Sequence, residues 1–257
     1  MRLIWTFDSS VFVDNLADSK RNILINYYIL SIDRAKKLGY TTTIYCDEGS
    51  VNYFNEICDE IIVVTNKYDS PLYDYMKIQV LEEQPDDEYC LIDGDIILNF
   101  RLPEFKTDIT FDAYEVHFNN TKNWSKDYEE TVTHLTSLGI VDYIPEWSIM
   151  RGYVMNCGIL SIKTQKNRDL YINSWKNYNN FIKNNIENLS MRNLTNIGAQ
   201  YLLTILRDYY SISSEQMSEG FGKKGYYYTH DAGNTKYVTP IVSKTQILKK
   251  NLNKNLF

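Results

Sequence analysis

YCLIDGDIIL, residues 89–98, is an apolar run that carries Asp93 and Asp95 at its centre with only Gly94 between them. An unpaired buried carboxylate is costly enough to neutralise or to find a cation, so the pattern predicts a strand that leaves the core at a site. In extended chain, side chains at i and i+2 point the same way. Both aspartates can then converge on one cation while Gly94 lets a ligand approach the backbone. Oxygen ligands with few soft atoms suit Mg2+ or Mn2+.

The segments before this run alternate in period. RLIWTF (2–7) reads as a buried strand, and DSKRNILINYYILSIDRAKKLG (18–39) as an amphipathic helix with Leu24, Tyr27, Tyr28, Ile32, Ala35 and Leu38 at three- and four-residue steps and Gly39 at its end. TTTIYC (41–46) is a second strand, SVNYFNEIC (50–58) a short helix, DEIIVV (59–64) a third strand. SPLYDYMKIQVLEEQ (70–84) reads as a helix capped by Ser70 with Pro71 in its first turn. Strands alternating with helices imply right-handed crossovers and a doubly wound, mostly parallel α/β sheet with flanking helices. Ligands bind outside the carboxyl ends of such strands, where Asp93 and Asp95 fall. On the same topology, Thr6, Phe7 and Asp8 at the end of the first strand are placed to border a bound ligand.

Beyond Arg101 the pattern loosens. DITFDAYEVHF (108–118) and GYVMNCGILSIK (152–163) read as strands, RDLYINSWKNYNNFIKNN (168–185) and NIGAQYLLTILRDYY (196–210) as helices, and residues 119–150 as polar and irregular. Trp124, Tyr143 and Trp147 in that stretch are candidates to stack on a bound ligand, and Asp112, Glu115, Asp142 and Glu146 are candidate general bases. Residues 219–237 form a glycine-rich loop region, and the basic tail 241–257 ends the chain.

The chain has 257 residues, 44% hydrophobic and 23% charged, with net charge −6. That length suits a single domain, 1–257, and the negative balance argues against a general hold on nucleic acid. The four cysteines form no CxxC pair and read as buried free thiols, in keeping with a reducing, cytoplasmic setting. No apolar run approaches a membrane span; the basic tail could touch an anionic surface, but packing on its own domain is the favoured expectation.

Read alone, D-G-D leaves several outcomes open. An EF-hand is excluded, because Ile97 and Leu98 occupy the fifth and sixth loop positions. A phosphohydrolase that uses D-x-D as nucleophile, or a strand-to-turn junction with solvated aspartates, is not.

Three further pieces carry a resemblance: Lys77, sixteen positions before Asp93; NCGILSIK, with Asn156 and Gly158; and HDAGNTK, with His230, Gly233 and Lys236. Together with LIDGDIIL they resemble GT-A glycosyltransferases, and among these family 8, the glycogenin and lipopolysaccharide galactosyltransferase group. The resemblance implies a GT-A fold and a metal-dependent hexosyltransferase that takes a nucleoside-diphosphate sugar, a UDP-sugar above all, to a carbohydrate or lipid-linked acceptor. It implies Mn2+ or Mg2+ held by Asp93, Asp95 and His230. It also implies that Lys77 reaches the sugar nucleotide, that Gly233 and Lys236 meet the diphosphate, and that Asn156 and Gly158 line the donor sugar. By the same token residues 1–105 are the nucleotide-binding half and 106–240 the donor-sugar and acceptor half. The chain departs from the family's G-D-Q, keeping Gly198 and Gln200 but placing Ala199 at the aspartate. Gln200 therefore joins Asp93 and Asp95 as a catalytic candidate, and Ala199 motivates the alternative of a nucleotide-sugar binding module with weak turnover.

Overall fold

The computed structural model describes residues 1–9, 18–84, 88–116, 123–148, 153–185, 189–218 and 228–230. Strand β1 (Arg2–Phe7) leads to helix α1 (Asp18–Lys37), β2 (Thr41–Cys46), the one-turn helix α2 (Val51–Phe54) and β3 (Glu60–Val63). Helix α3 (Tyr75–Glu83) precedes β4 (Tyr89–Ile92) and β5 (Ile96–Leu98). Then follow β6 (Ile109–Val116), α4 (Asn123–Ser137), β7 (Tyr153–Ile162), α5 (Gln165–Asn185), α6 (Met191–Asn196), a π-helical turn (Ile197–Tyr201), α7 (Leu202–Tyr209), β8 (Ser214–Gln216) and β9 (Tyr228–His230).

Among the described residues a seven-stranded sheet runs β3-β2-β1-β4-β7-β6-β8. Strands β1 to β4 are parallel where they pair, β7 is antiparallel to both β4 and β6, and β8 returns parallel to β6. The fold is thus α/β with a mixed, mostly parallel sheet and helices on both faces. Strand β1 shows why it forms: Leu3, Ile4, Trp5 and Phe7 are all fully buried, as expected of a strand covered on both sides. One core lies under α3, α5, the π turn and α7, the other under α1 and α2. Gly39 closes α1 at φ +80°, with its N–H on Lys36 O and the Tyr40 N–H on Ala35 O. Among the described residues no helix is long and apolar enough to cross a membrane.

Four expectations need correction. The 89–98 run is two strands, because the chain turns at Asp93–Asp95, with Ile96 N–H on Asp93 O at 3.0 Å, and β5 pairs with β9 in a separate small sheet. The two aspartates therefore flank a turn and do not share one face of an extended strand. The helix expected from Ser70 starts only at Tyr75 after Asp74; Ser70 instead bonds Asn179 and accepts the Leu72 N–H within a loop. Within 119–150, residues 123–137 are helical, with Tyr128, Val132 and Leu135 buried at helical spacing. Trp147 is no sugar platform: it is 1% exposed, stacks 6.0 Å from Tyr178 and donates its indole N–H to Thr136.

Helix α1 grips the strand after the turn. The Trp5 indole N–H donates to Ser31 Oγ at 3.0 Å, Ser31 donates to Ile96 O at 2.5 Å, and Arg34 Nε donates to Leu98 O at 3.2 Å. Ser31 is fully buried, so Ser31→Ala strips both the indole N–H and the Ile96 carbonyl of that partner. The expected cost is about 2 kcal/mol, read as a lower urea midpoint at unchanged slope.

Candidate active site

Asp93 is the hub of the site. Its N–H donates to Gly158 O at 2.8 Å, and its Oδ1 lies 2.6 Å from Lys77 Nζ, which also donates to Cys157 O at 3.2 Å. Lys77 on α3, Asp93 after β4 and the Asn156–Gly158 segment of β7 are therefore held together. Burial pushes the Lys77 ammonium down, but its neighbours, Asp93 foremost, together outweigh this and leave its pKa above the ordinary lysine value. The lysine is a fixed positive charge at the carboxyl end of β4.

Asn156 is buried and faces along the strand. Its amide N–H2 donates to Glu115 Oε1 on β6, and its Oδ1 accepts the Gly158 N–H at 2.8 Å. Burial pushes the neighbouring Cys157 thiol up to about 12, so it stays protonated and donates to Ala199 O at 3.3 Å.

That contact ties β7 to the π turn, whose widened geometry has a cause. The carbonyls of Gly198 and Ala199 accept from the Tyr171 hydroxyl, and Gln200 O accepts from Thr204 Oγ1 at 2.7 Å, while Thr204 Oγ1 itself takes the Met155 N–H. Side chains thus satisfy carbonyls that a regular helix would bond internally, and the turn opens. It carries Gln200, whose Oε1 is buried without a hydrogen-bond partner among the described residues. Gly198 fits because a Cβ there would meet the Tyr178 ring at 3.0 Å and Asp74 Oδ2 at 3.4 Å.

At the end of β1, Asp8 is buried and accepts the Tyr75 hydroxyl at 2.8 Å, which links it to α3 two residues before Lys77. The Phe7 ring is fully buried among Tyr28, Tyr53 and Phe54, so its side chain belongs to the core. Thr6 O accepts the Tyr28 hydroxyl.

The backbone of His230 pairs with Ile96, the residue next to Asp95. Its side chain lies outside the described residues, as do Gly233, Lys236, the 219–227 loop and the 241–257 tail. Among the described side chains no group of three His, Cys, Asp or Glu residues stands ready to hold a metal. The donor set nonetheless suits a hard divalent cation: two carboxylates flank one turn with the Lys77 ammonium on Asp93, and a histidine backbone sits in register with the next residue.

Three of the four suggested bases are engaged. Asp112 accepts the Tyr228 hydroxyl and Glu146 the Tyr210 hydroxyl at 2.6 Å, Glu115 holds Asn156, and Asp142 is exposed on a 3-10 turn. Glu115 thus acts through Asn156. Sequence reading passed over Asp74 altogether, although its place three residues before Lys77 was visible. It is buried, accepts the Trp175 indole N–H at 2.9 Å and leaves Oδ1 with no partner among the described residues.

No family model matches the sequence, and no curated protein does. Solved structures similar to this chain include the galactosyltransferase LgtC in complex with donor and acceptor sugar analogues, at 12% identity and TM-score 0.45 over 77% of this chain and 70% of that one. Mouse xyloside xylosyltransferase 1 in its apo form is similar at 8% identity and TM-score 0.44, over 84% of each chain. The inositol-1-phosphate CTP transferase from T. maritima is similar at 14% identity and TM-score 0.44, over 100% of this chain and 97% of that one.

Asp74 yields a pH signature. Burial raises its carboxyl from 3.8 to about 7, with the Trp175 N–H opposing. Between those values the folded chain holds a proton that the unfolded chain has released. Its contribution is full below pH 4 and falls by up to about 1.4 kcal/mol per pH unit until pH 7. Asp74→Asn, which keeps an acceptor for Trp175, is expected to gain on the wild type steadily from pH 4 to pH 7 in paired urea melts. A constant difference across that window would contradict the assignment.

Proposed function

We propose that this chain is a metal-dependent GT-A glycosyltransferase that moves a hexose from a UDP-sugar to a carbohydrate or lipid-linked acceptor. The observation that carries the reading is the meeting of Lys77, Asp93 and the Asn156–Gly158 strand at the carboxyl end of β4, with the His230 backbone in register beside Asp95. These are the pieces on which the sequence resembles family 8.

Departure of a nucleoside diphosphate from an anomeric carbon builds negative charge on the leaving phosphate. Asp93, Asp95 and His230 would hold Mn2+ or Mg2+, which supplies Lewis-acid charge at that phosphate. Lys77 contributes a second positive charge that needs no reorganisation, because Asp93 and Cys157 O already fix its ammonium. Lys236 and Gly233 join it at the diphosphate on the same resemblance. The segment Asn156–Gly158 lines the donor sugar, its amide locked by Glu115, and Gln200 offers an uncommitted carbonyl oxygen to a sugar hydroxyl. Thr6 and Asp8 border the base, with Asp8 oriented by Tyr75. Ala199 leaves that side of the donor pocket to other groups, which changes sugar preference more than nucleotide binding.

The test is a thermal-shift panel of UDP, GDP and sugar phosphates with and without Mn2+. UDP is expected to raise Tm only with Mn2+, the shift vanishing in Asp95→Ala and shrinking in His230→Ala and Lys77→Ala. Slow release of UDP from one UDP-sugar then identifies the donor. No response to any nucleotide sinks the proposal; metal-dependent hydrolysis of simple phosphate esters points to a phosphohydrolase instead, and nucleotide binding with no turnover of any UDP-sugar to the inert binding module.

A further inference from the structure

The space beside Gly94 is already filled. A Cβ built there would stand 2.2 Å from both Cδ2 and Cε2 of Tyr28 and 2.5 Å from its Cγ, so the buried Tyr28 ring lies directly on the backbone between the two aspartates. The glycine serves this aromatic contact, not the approach of a ligand on that side. At its other end Tyr28 donates its hydroxyl to Thr6 O at 3.1 Å, and its ring meets Phe7 edge-on at 4.9 Å.

The position matters because of what the sheet does there. Strands β1 and β4 pair in parallel only as far as Ile4 with Leu91, so no ladder joins Thr6 to the Asp93–Asp95 turn. Tyr28 bridges that gap from one side of α1, and Ser31 and Arg34, three and six residues on, hold the β5 backbone that follows the turn. One helix thereby fixes the aspartate turn, the strand after it and the end of β1.

We propose that Tyr28 is a positioning residue that locks the Asp93–Asp95 turn to the nucleoside end of β1, so that binding of a divalent cation at the turn and of a nucleoside diphosphate beside Thr6–Asp8 strengthen each other. This rests on the glycosyltransferase reading above. The physical basis is preorganisation: the ring sets where the two carboxylates point, and the hydroxyl makes any shift of the turn felt at Thr6. A second-sphere contact of this kind is worth about ten- to hundred-fold in metal affinity, and the hydrogen bond about five-fold in coupling.

The test measures Mn2+ binding by loss of the free-ion electron paramagnetic resonance signal, and UDP binding by calorimetry with and without Mn2+. Gly94→Ala is expected to weaken Mn2+ binding at least about ten-fold. Adding Tyr28→Ala to it should return Mn2+ binding to the level of Tyr28→Ala by itself, since the new methyl then has room. Tyr28→Phe keeps the ring and should leave Mn2+ binding unchanged while lowering the Mn2+-induced gain in UDP affinity about five-fold. The proposal is overturned if Gly94→Ala binds Mn2+ like the wild type, if the double change only adds the two losses, or if Tyr28→Phe keeps full coupling. Should circular dichroism show Tyr28→Ala unfolded, the Tyr28→Phe coupling decides. Wild-type protein that binds neither Mn2+ nor UDP refutes the glycosyltransferase reading itself, whereas normal wild-type binding with unaltered variants refutes the role of Tyr28 alone.

Discussion

An ammonium taken out of water needs an anion within reach, and the contact of Lys77 with Asp93 is the constraint on which this site depends. Burial disfavours the charged lysine, and the carboxylate 2.6 Å away is the foremost of the groups that tip the balance back. Because Lys77 also reaches Cys157 O while the Asp93 N–H takes Gly158 O, the same pair fastens α3 and β4 to β7. A substitution at either residue therefore acts twice, on the local charge and on the placement of the strand that carries Asn156.

The second support is the π turn. A helix of ordinary pitch would spend the carbonyls of Gly198, Ala199 and Gln200 on its own N–H groups; here Tyr171, Cys157 and Thr204 compete for them from neighbouring elements. The widened turn leans on β7 through the Cys157 contact. Asp74 lies against the same turn at Gly198, a buried carboxyl one residue from Ala199 in its contact with the turn.

The N-terminal alternation of strand and helix was legible because each segment has one period and clear punctuation: β1, α1, β2 and β3 fall within a residue or two of where periodicity and Gly39 put them. Where the sequence misled, a tertiary partner had overridden a local signal. Ser70 and Pro71 look like a helix start, but the Ser70 hydroxyl is taken by Asn179, 109 residues away, and the helix waits for Asp74. The apolar run 89–98 reads as one strand because both of its halves are buried, yet the two belong to different sheets. Helix α4 was missed because its buried face is narrow, Tyr128, Val132 and Leu135 among polar neighbours. Of the candidate site, Lys77, Asp93 and Asn156–Gly158 do meet in the structure; Tyr28 reads in sequence only as a core position of its helix, Glu115 only as a possible base, and Asp74 not at all, because their contacts carry no signal until a fold sets something against them.

Strand β9 shows how such a setting is enforced over distance. Its ladder with β5 is three residues long, and a slip of one residue would turn every side chain to the opposite face. Tyr228 prevents the slip: it is fully buried, pairs with Leu98, and gives its hydroxyl to Asp112 at the bulge of β6. Asp112, which sequence logic offers as a base, thereby serves as the pin that holds β9 in register. Since His230 is two residues beyond Tyr228 on the same short strand, the buried tyrosine fixes which residue of the aspartate run the histidine backbone meets. Two backbones far apart in the sequence, those of Ile96 and His230, are thus aligned by a hydrogen bond that involves neither.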